Sequence, residues 1–371
     1  MDALTSCAYS SAMQAYSLPA LSNRWNASHG DVPPGTVRGV SILAIAEHLP
    51  SRVRTSGEIE EMIAAQSPHL RLRPGLIELR TGIQSRRVAE DHEQCSDLAL
   101  AAARAALESA NMHSSEVDLL VFAAAGQDLI EPATAHIVQQ KLGTSCAVFD
   151  IKNACNSFLN GLQVAAALVA NGAARTALVV TGEICSRAAR YDMANGEELR
   201  RYFPGFTMGD AGAAVVLQRS GRDIGLRYCG FESLSEHWSL ATISSGGSMH
   251  PRGDEFAYLA GDGPALKNAF VKYGPSMLKR LMSRACVSFE DVDRILVHQV
   301  GVRYHAEMLR ATGIPPEKVE CTVEQFGNMA SASLPVAHAI AVANGTILPG
   351  ERVMWVGMAS GMSVGLAVID T

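Results

Sequence analysis

Cys155 stands in Asp150-Ile151-Lys152-Asn153-Ala154-Cys155-Asn156-Ser157, where a short apolar run gives way to small polar residues and then to a helical apolar pattern. A cysteine at a helix start meets unpaired backbone N–H groups and the positive end of the macrodipole. Both favour a nucleophilic thiolate. A free cysteine also serves as a small buried apolar residue, so type and place leave both roles open. Asn328, in Phe326-Gly327-Asn328-Met329-Ala330-Ser331, lies 173 positions after Cys155 and also precedes an apolar helical run. His298 ends the strand-like run Leu296-Val297-His298-Gln299-Val300-Gly301. Singly, Asn328 reads as a helix cap and His298 as a core histidine. Together the three types supply a nucleophile, a proton carrier and a donor to a carbonyl oxygen.

An internal repeat supplies the elements that would bring them together. Val117-Asp118-Leu119-Leu120-Val121 is echoed by Val292-Asp293-Arg294-Ile295-Leu296, an offset of 175. Ala167-Leu168-Val169-Ala170-Asn171-Gly172 is echoed by Ile340-Ala341-Val342-Ala343-Asn344-Gly345, an offset of 173. Each Asn-Gly reads as a helix C-terminus, with strands following at 176–180 and 352–356. Gly212-Ala213-Ala214-Val215-Val216 is echoed by Gly365-Leu366-Ala367-Val368-Ile369, an offset of 153. The first copy therefore carries about twenty additional residues around 183–206. The division expected is an arm at 1–36, a first half at 37–220 and a second at 221–371. Alternating strands and helices predict an α/β fold with helix-covered sheets. Cys155 and Asn328 are equivalent under the repeat, and both should face the junction of the halves with His298.

Composition narrows the function classes. Apolar residues are 48% of the 371 and charged residues 18%, enough for a large core. A net charge of -6 disfavours a general nucleic-acid binder. No run of about 18 uncharged apolar residues occurs, so no membrane span is expected. The eight cysteines show no CxxC and read as reduced thiols of a cytoplasmic protein. Residues 1–36 lack the apolar stretch of a secretory signal and read as a flexible arm or an arm across a dimer. HExxH and a Walker loop are both missing, and no metal is expected. Gly209-Asp210-Ala211-Gly212 leads into a strand rather than a helix, unlike a dinucleotide fingerprint.

From about residue 38 onward the chain resembles the thiolase superfamily and, within it, the β-ketoacyl synthase III group. Arg80-Thr81-Gly82-Ile83, Asn153-Ala154-Cys155, Gly209-Asp210-Ala211-Gly212-Ala213-Ala214, His298-Gln299 and Gly327-Asn328 fall in the family's order. That resemblance implies a five-layered αβαβα fold with two pseudo-twofold halves, a homodimer, and a triad of Cys155, His298 and Asn328. Leu129-Ile130-Glu131-Pro132-Ala133-Thr134, Phe158-Leu159-Asn160-Gly161 and His298-Gln299-Val300 are similar to the head-to-head acyl-condensing enzymes of olefin and α-pyrone synthesis. In that subgroup the glutamate matching Glu131 reaches into the partner subunit's site as the base. Arg80 and Arg187 match positions associated with coenzyme A, and Arg303 one linked to carrier-protein docking. The family's adenine-stacking Trp is Leu76 here, and the Asn three residues after the histidine is Gly301. Backbone N–H groups of Cys155 and Ser360 would form the oxyanion hole.

The function implied is a Claisen condensation through an acyl-Cys intermediate, with coenzyme A or acyl carrier protein thioesters as substrates and no other cofactor. A decarboxylative synthase III and an acyl transfer to an oxygen or nitrogen nucleophile are the alternatives.

Overall fold

The computed structural model describes residues 33–221 and 224–371. The arm expected at 1–36 lies outside the described residues except for its last four positions. The first elements are β1 (Val40–His48), β2 (Arg52–Thr55), α1 (Ser56–Gln66), α2 (Leu76–Thr81), β3 (Ser85–Val88) and α3 (Cys95–Ser109). There follow β4 (Leu119–Ala123), α4 (Thr134–Leu142), β5 (Ala147–Ile151), α5 (Ser157–Ala170), β6 (Thr176–Ile184), α6 (Gly196–Tyr202) and β7 (Asp210–Arg219). Next come β8 (Gly225–Ser233), β9 (Ala241–Thr242), β10 (Ala260–Gly261), α7 (Gly263–Ala285), β11 (Arg294–Val297) and α8 (Val302–Thr312). The chain closes with α9 (Val323–Phe326), α10 (Ser333–Ala343), β12 (Arg352–Ala359) and β13 (Ser363–Asp370).

Two sheets repeat one topology. The first runs β1-β7-β6-β4-β5 and the second β8-β13-β12-β11. In each, the first two pairings are antiparallel and the next is parallel. β5 adds a parallel edge to the first sheet, and the second keeps only a parallel bridge from Ile295 to Val319 there. The first connection of unequal length is also where the sequence places it. Residues 185–209 join β6 to β7, whereas residues 360–362 join β12 to β13. The Asn-Gly pairs end α5 and α10, with Asn171 and Asn344 as caps and the following glycines at φ 77° and 76°.

Strand alternation sorts side chains into layers. In the first sheet Leu178, Val180, Ala214 and Val216 face α3 and α4, while Val179 and Val215 face inward. In the second, Val353, Trp355, Ala367 and Ile369 face inward, while Met354, Val356, Leu366 and Val368 pack under α7 and α8. Between the sheets lie α5 and α10. α5 packs on β4 and β6 of the first sheet and on β8 and β13 of the second; α10 packs on β1 and β7 and on β11. Both sheets being covered on each side, β6 and β7 read as nearly unbroken apolar runs.

α3 lies unusually close to the first sheet. A Cβ on Gly182 would fall 1.8 Å from the Cys95 carbonyl oxygen, and one on Gly212 2.2 Å from that of Leu98. Both obstacles are backbone, so the helix itself would have to move. Gly182→Ala is expected to cost at least the ~1–3 kcal/mol of an overpacked core. Gly196→Ala, which meets nothing within 4 Å, should leave stability unchanged. Thermal unfolding followed by circular dichroism checks both.

Candidate active site

β5 runs parallel beside β4, and its C-terminal end opens into the turn that carries Cys155. Ala154 takes φ 47°, and α5 begins two residues after Cys155, with Asn156 as cap residue. Ser157 Oγ locks the turn, accepting from the Asn153 N–H at 2.8 Å and donating to the Ala154 carbonyl at 2.7 Å. Cys155 stays half-buried.

The turn before α10 mirrors this arrangement. Gly327 takes φ 65°, so the residues preceding Cys155 and Asn328 share a left-handed backbone. The Asn328 N–H donates to the Thr207 carbonyl at 2.8 Å, and its carbonyl accepts from Gly209 N–H at 3.0 Å. A Cβ on Gly209 would sit 2.1 Å from the Phe326 carbonyl oxygen, so only glycine permits this pairing. Asn328 Oδ1 accepts from the Ala330 N–H at 3.0 Å. Its Nδ2 is therefore left as a donor with no partner among the described residues.

His298 follows β11, its N–H donating to the Val356 carbonyl at 2.9 Å. Gln299 clamps the loop behind it, donating to the Glu320 carbonyl and accepting from the Thr322 and Val323 N–H groups. The His298 side chain is 2% exposed, and neither ring nitrogen has a partner among the described residues. Burial, with His305 close by, lowers its pKa to about 4. It is a neutral imidazole at pH 7.

Two further residues join these elements. Glu183, at the end of β6, is fully buried and accepts from Ala125 N–H at 2.7 Å, Gly126 N–H at 2.9 Å and Ser331 Oγ at 2.5 Å. Ser331 lies three residues beyond Asn328, and Glu183 also acts electrostatically on Cys155. Tyr304 on α8 lies within the same reach of Cys155, and its neighbour His305 acts on His298. Glu183 thus links the Cys155 turn to the turn after Asn328 through Ser331, and α8 links Cys155 to His298 through Tyr304 and His305. Sequence reasoning missed these partners. Glu183 left a signal, a carboxylate closing an otherwise apolar strand; Tyr304 and His305 left none in their spacing.

The same surroundings change one expectation. Burial and the Glu183 charge push the Cys155 thiol up to about 12, outweighing its own backbone N–H, which favours the thiolate. Cys155 rests as a thiol, not as the thiolate that a helix start suggests. The Ser360 N–H has no hydrogen-bond acceptor among the described residues, and the Cys155 N–H meets only its own sulfur. Their turns are tied together by Asn156 Nδ2, which donates to Ser363 Oγ at 2.9 Å.

The remaining expected residues are placed separately. Glu131 is exposed on the loop between β4 and α4. Arg80 is exposed on α2 and Arg303 on α8. Arg303 lines a surface groove of ≈ 470 Å³ with Gly75, Glu78, Leu79, Gln84 and Val302. Arg187 Nη2 is engaged by the carbonyls of Glu90, Asp91 and Glu93 at 3.0, 3.2 and 2.8 Å, so it holds that loop.

Two family profiles match the chain: 3-oxoacyl-[acyl-carrier-protein (ACP)] synthase III at residues 149–234 and its C-terminal part at residues 282–371. The chain is 32% identical over 334 residues to the β-ketoacyl-[acyl-carrier-protein] synthase III of Symbiobacterium thermophilum, covering 88% of this chain and 96% of the relative. It belongs to the β-ketoacyl synthase III family. The Desulfitobacterium hafniense enzyme of that name is also 32% identical, over 89% of this chain and 97% of the relative. A Xanthomonas campestris OleA variant with bound lauric acid and lauroyl-CoA superposes with a TM-score of 0.82 at 28% identity, covering 90% of this chain and 100% of that one. The architecture is accordingly the five-layered αβαβα thiolase fold with pseudo-twofold halves. The chain is an acyltransferase of the acyl-thioester condensing class.

A resting thiol makes a testable statement. Alkylation of Cys155 by iodoacetamide, read by peptide mass mapping so that exposed Cys286 and Cys321 are scored apart, should be slow at pH 7 and still rising at pH 10. Glu183→Gln removes a negative charge that opposes the thiolate. It should lower the thiol pKa and speed alkylation at fixed pH.

Proposed function

We propose that Cys155, His298 and Asn328 carry out a Claisen condensation between two acyl thioesters. The observation that carries this reading is the set of unspent hydrogen-bonding groups around one half-buried thiol: the N–H groups of Cys155 and Ser360, Asn328 Nδ2 and both His298 ring nitrogens. The backbone N–H groups, the Asn328 amide and the one protonated nitrogen of a neutral His298 are donors without charge, suited to an oxygen on which charge develops only in the transition state.

In the first half-reaction Cys155 Sγ bonds to the acyl carbon and the carbon–sulfur bond to the carrier breaks. The thiol's proton leaves overall on the released carrier thiol. The tetrahedral oxyanion lies on the Cys155 and Ser360 N–H groups. In the second, the other thioester binds with its carbonyl oxygen between a His298 N–H and Asn328 Nδ2, which stabilise its enolate. The enolate carbon attacks the acyl carbon, the bond to Cys155 Sγ breaks, and a β-ketoacyl thioester departs. In the route without decarboxylation Glu131 of the partner subunit takes the α-proton. The OleA likeness and an exposed glutamate on the 127–134 loop support that route. The relatives named β-ketoacyl-[acyl-carrier-protein] synthase III support the other, in which loss of carbon dioxide makes the enolate.

The protomer is proposed to pair with a second copy through the 127–134 loop, which exposes Leu129 at 52% and Ile130 at 68%, with Gly246 packed against Ile130. Arg80 and Arg303 are proposed to meet the phosphates of coenzyme A or of a carrier protein, with Arg187 supporting the adjoining loop. The halves are taken to divide near residue 220. The seven described cysteines are all free, which fits a reducing cytoplasm. No helix among the described residues is long and apolar enough to cross a membrane.

Incubation with lauroyl-CoA should add one acyl group by intact mass, and Cys155→Ser should abolish it; an adduct on another cysteine would refute the assignment. His298→Ala and Asn328→Ala should slow condensation far more than acylation, by about 10²–10³ for a lost oxyanion donor. Glu131→Gln should severely reduce condensation of two lauroyl-CoA molecules, with malonyl-CoA partly bypassing the defect. Undiminished activity of Glu131→Gln, with malonyl donors required by the wild type, would establish the decarboxylative route instead.

A further inference from the structure

His305 is buried, 5% exposed, and neither of its ring nitrogens has a partner among the described residues. Leaving a buried donor or acceptor unpaired costs about 1–3 kcal/mol, and His298 and His305 together present four such nitrogens. The fold sets them side by side. α8 starts right after the His298 loop, with the His305 N–H bonded to the Gly301 carbonyl at 2.9 Å. His305, Met308 and Leu309 form the buried stripe of α8, spaced as neighbours on one helix face. Met308 and Leu309 pack with Val297, the residue before His298. His305 therefore occupies the end of that stripe nearest His298, and its ring opposes protonation of His298. Gln299 is turned to the Glu320–Val323 segment, and Gly301 has no side chain with which to serve the His298 ring.

A neutral imidazole has one donor nitrogen and one acceptor nitrogen, and the hydrogen bond at one decides the role of the other. Resting on the proposed role of His298, we propose that His305 is its positioning residue: a His305 ring N–H donates through one water to one His298 nitrogen and fixes the tautomer whose other N–H points at the thioester oxygen shared with Asn328. The pairing reduces four unpaired nitrogens to two, a donor on His298 that faces substrate and an acceptor on His305. A carboxylate in place of His305 would instead favour an imidazolium, whereas a neutral partner keeps His298 a neutral donor to the enolate.

The test uses the full chain with lauroyl-CoA as acyl donor and lauroyl-CoA or malonyl-CoA as second thioester. His305→Ala should acylate Cys155 within about twofold of wild type, since removing a supporting residue acts only where its partner acts. Its condensation kcat should fall about 10- to 100-fold, the usual loss on removing a residue that orients a reacting group, with KM for the second thioester little changed. His305→Gln, which keeps an amide donor, should recover most of the rate. The double variant with His298→Ala should be no slower than His298→Ala alone. Should His305→Ala prove unstable, His305→Leu against His305→Gln makes the same comparison. Wild-type condensation in His305→Ala, additive losses in the double variant, an equal loss of acylation, or no recovery with Gln would each overturn the inference. If His298→Ala itself condenses normally, the reading of His298 falls and this inference with it. Impaired His298→Ala beside unimpaired His305→Ala overturns this inference alone.

Discussion

Everything in this structure follows from burying α5 and α10 between two sheets. A helix held between two sheets must be largely apolar, and Ser157–Ala170 and Ser333–Ala343 are, with Val164 and Ala167 of α5 and Val342 of α10 reaching the surface. Within this layer Trp355 Nε1 donates to His338 Nδ1 at 3.0 Å, while Phe158 packs 6.4 Å from the same indole. Such helices can show chemistry only at their ends. The turns before their first residues are those ends, and they hold Cys155 and Asn328. The repeat that makes the two sheets alike is what gives both turns the same left-handed entry.

The reaction centre is nearly free of charge, and that too derives from burial. His298 is neutral, Cys155 rests protonated, and Asn328 contributes a polar but uncharged amide. The carboxylate of Glu183 is the exception, and three donors within 2.9 Å offset its desolvation. In so dry a place a neutral hydrogen-bond donor is worth more than in water, which suits an enolate that bears charge only in passing. The cost is a thiol held well above its ordinary pKa, so the proposed acylation step works against the same burial that favours the proposed condensation step.

The two halves differ where the protein needs something other than a scaffold. Residues 185–209 supply Tyr191, Tyr202 and Phe206, which pack with Ile59, Ile63 and Ile77 of α1 and α2 into a separate cluster. That cluster seats α2, whose Glu78 and Leu79 line the groove with Arg303. The corresponding link in the second half, residues 360–362, is short and brings Ser360 close to the Cys155 turn. One copy of the repeat thus elaborates the surface while the other stays tight around the reacting atoms.

Much of this was legible in the sequence, because helix ends and strand runs are local. Asn171-Gly172 and Asn344-Gly345 stop their helices where glycine alone takes a positive φ without strain, and Ala147–Ile151 is a strand as its residues suggest. The equivalence of Cys155 and Asn328 could be read by counting, since the repeat preserves spacing. Glu183 meets Ser331 across 148 positions, however, and Arg187 meets the 90–93 loop across more than 90. The tertiary structure alone decided that Cys155 is a thiol, that His298 is neutral and that His305 lies beside it. Those properties are set by desolvation and by groups from distant segments, and neither quantity is carried by the neighbours of a residue in the chain.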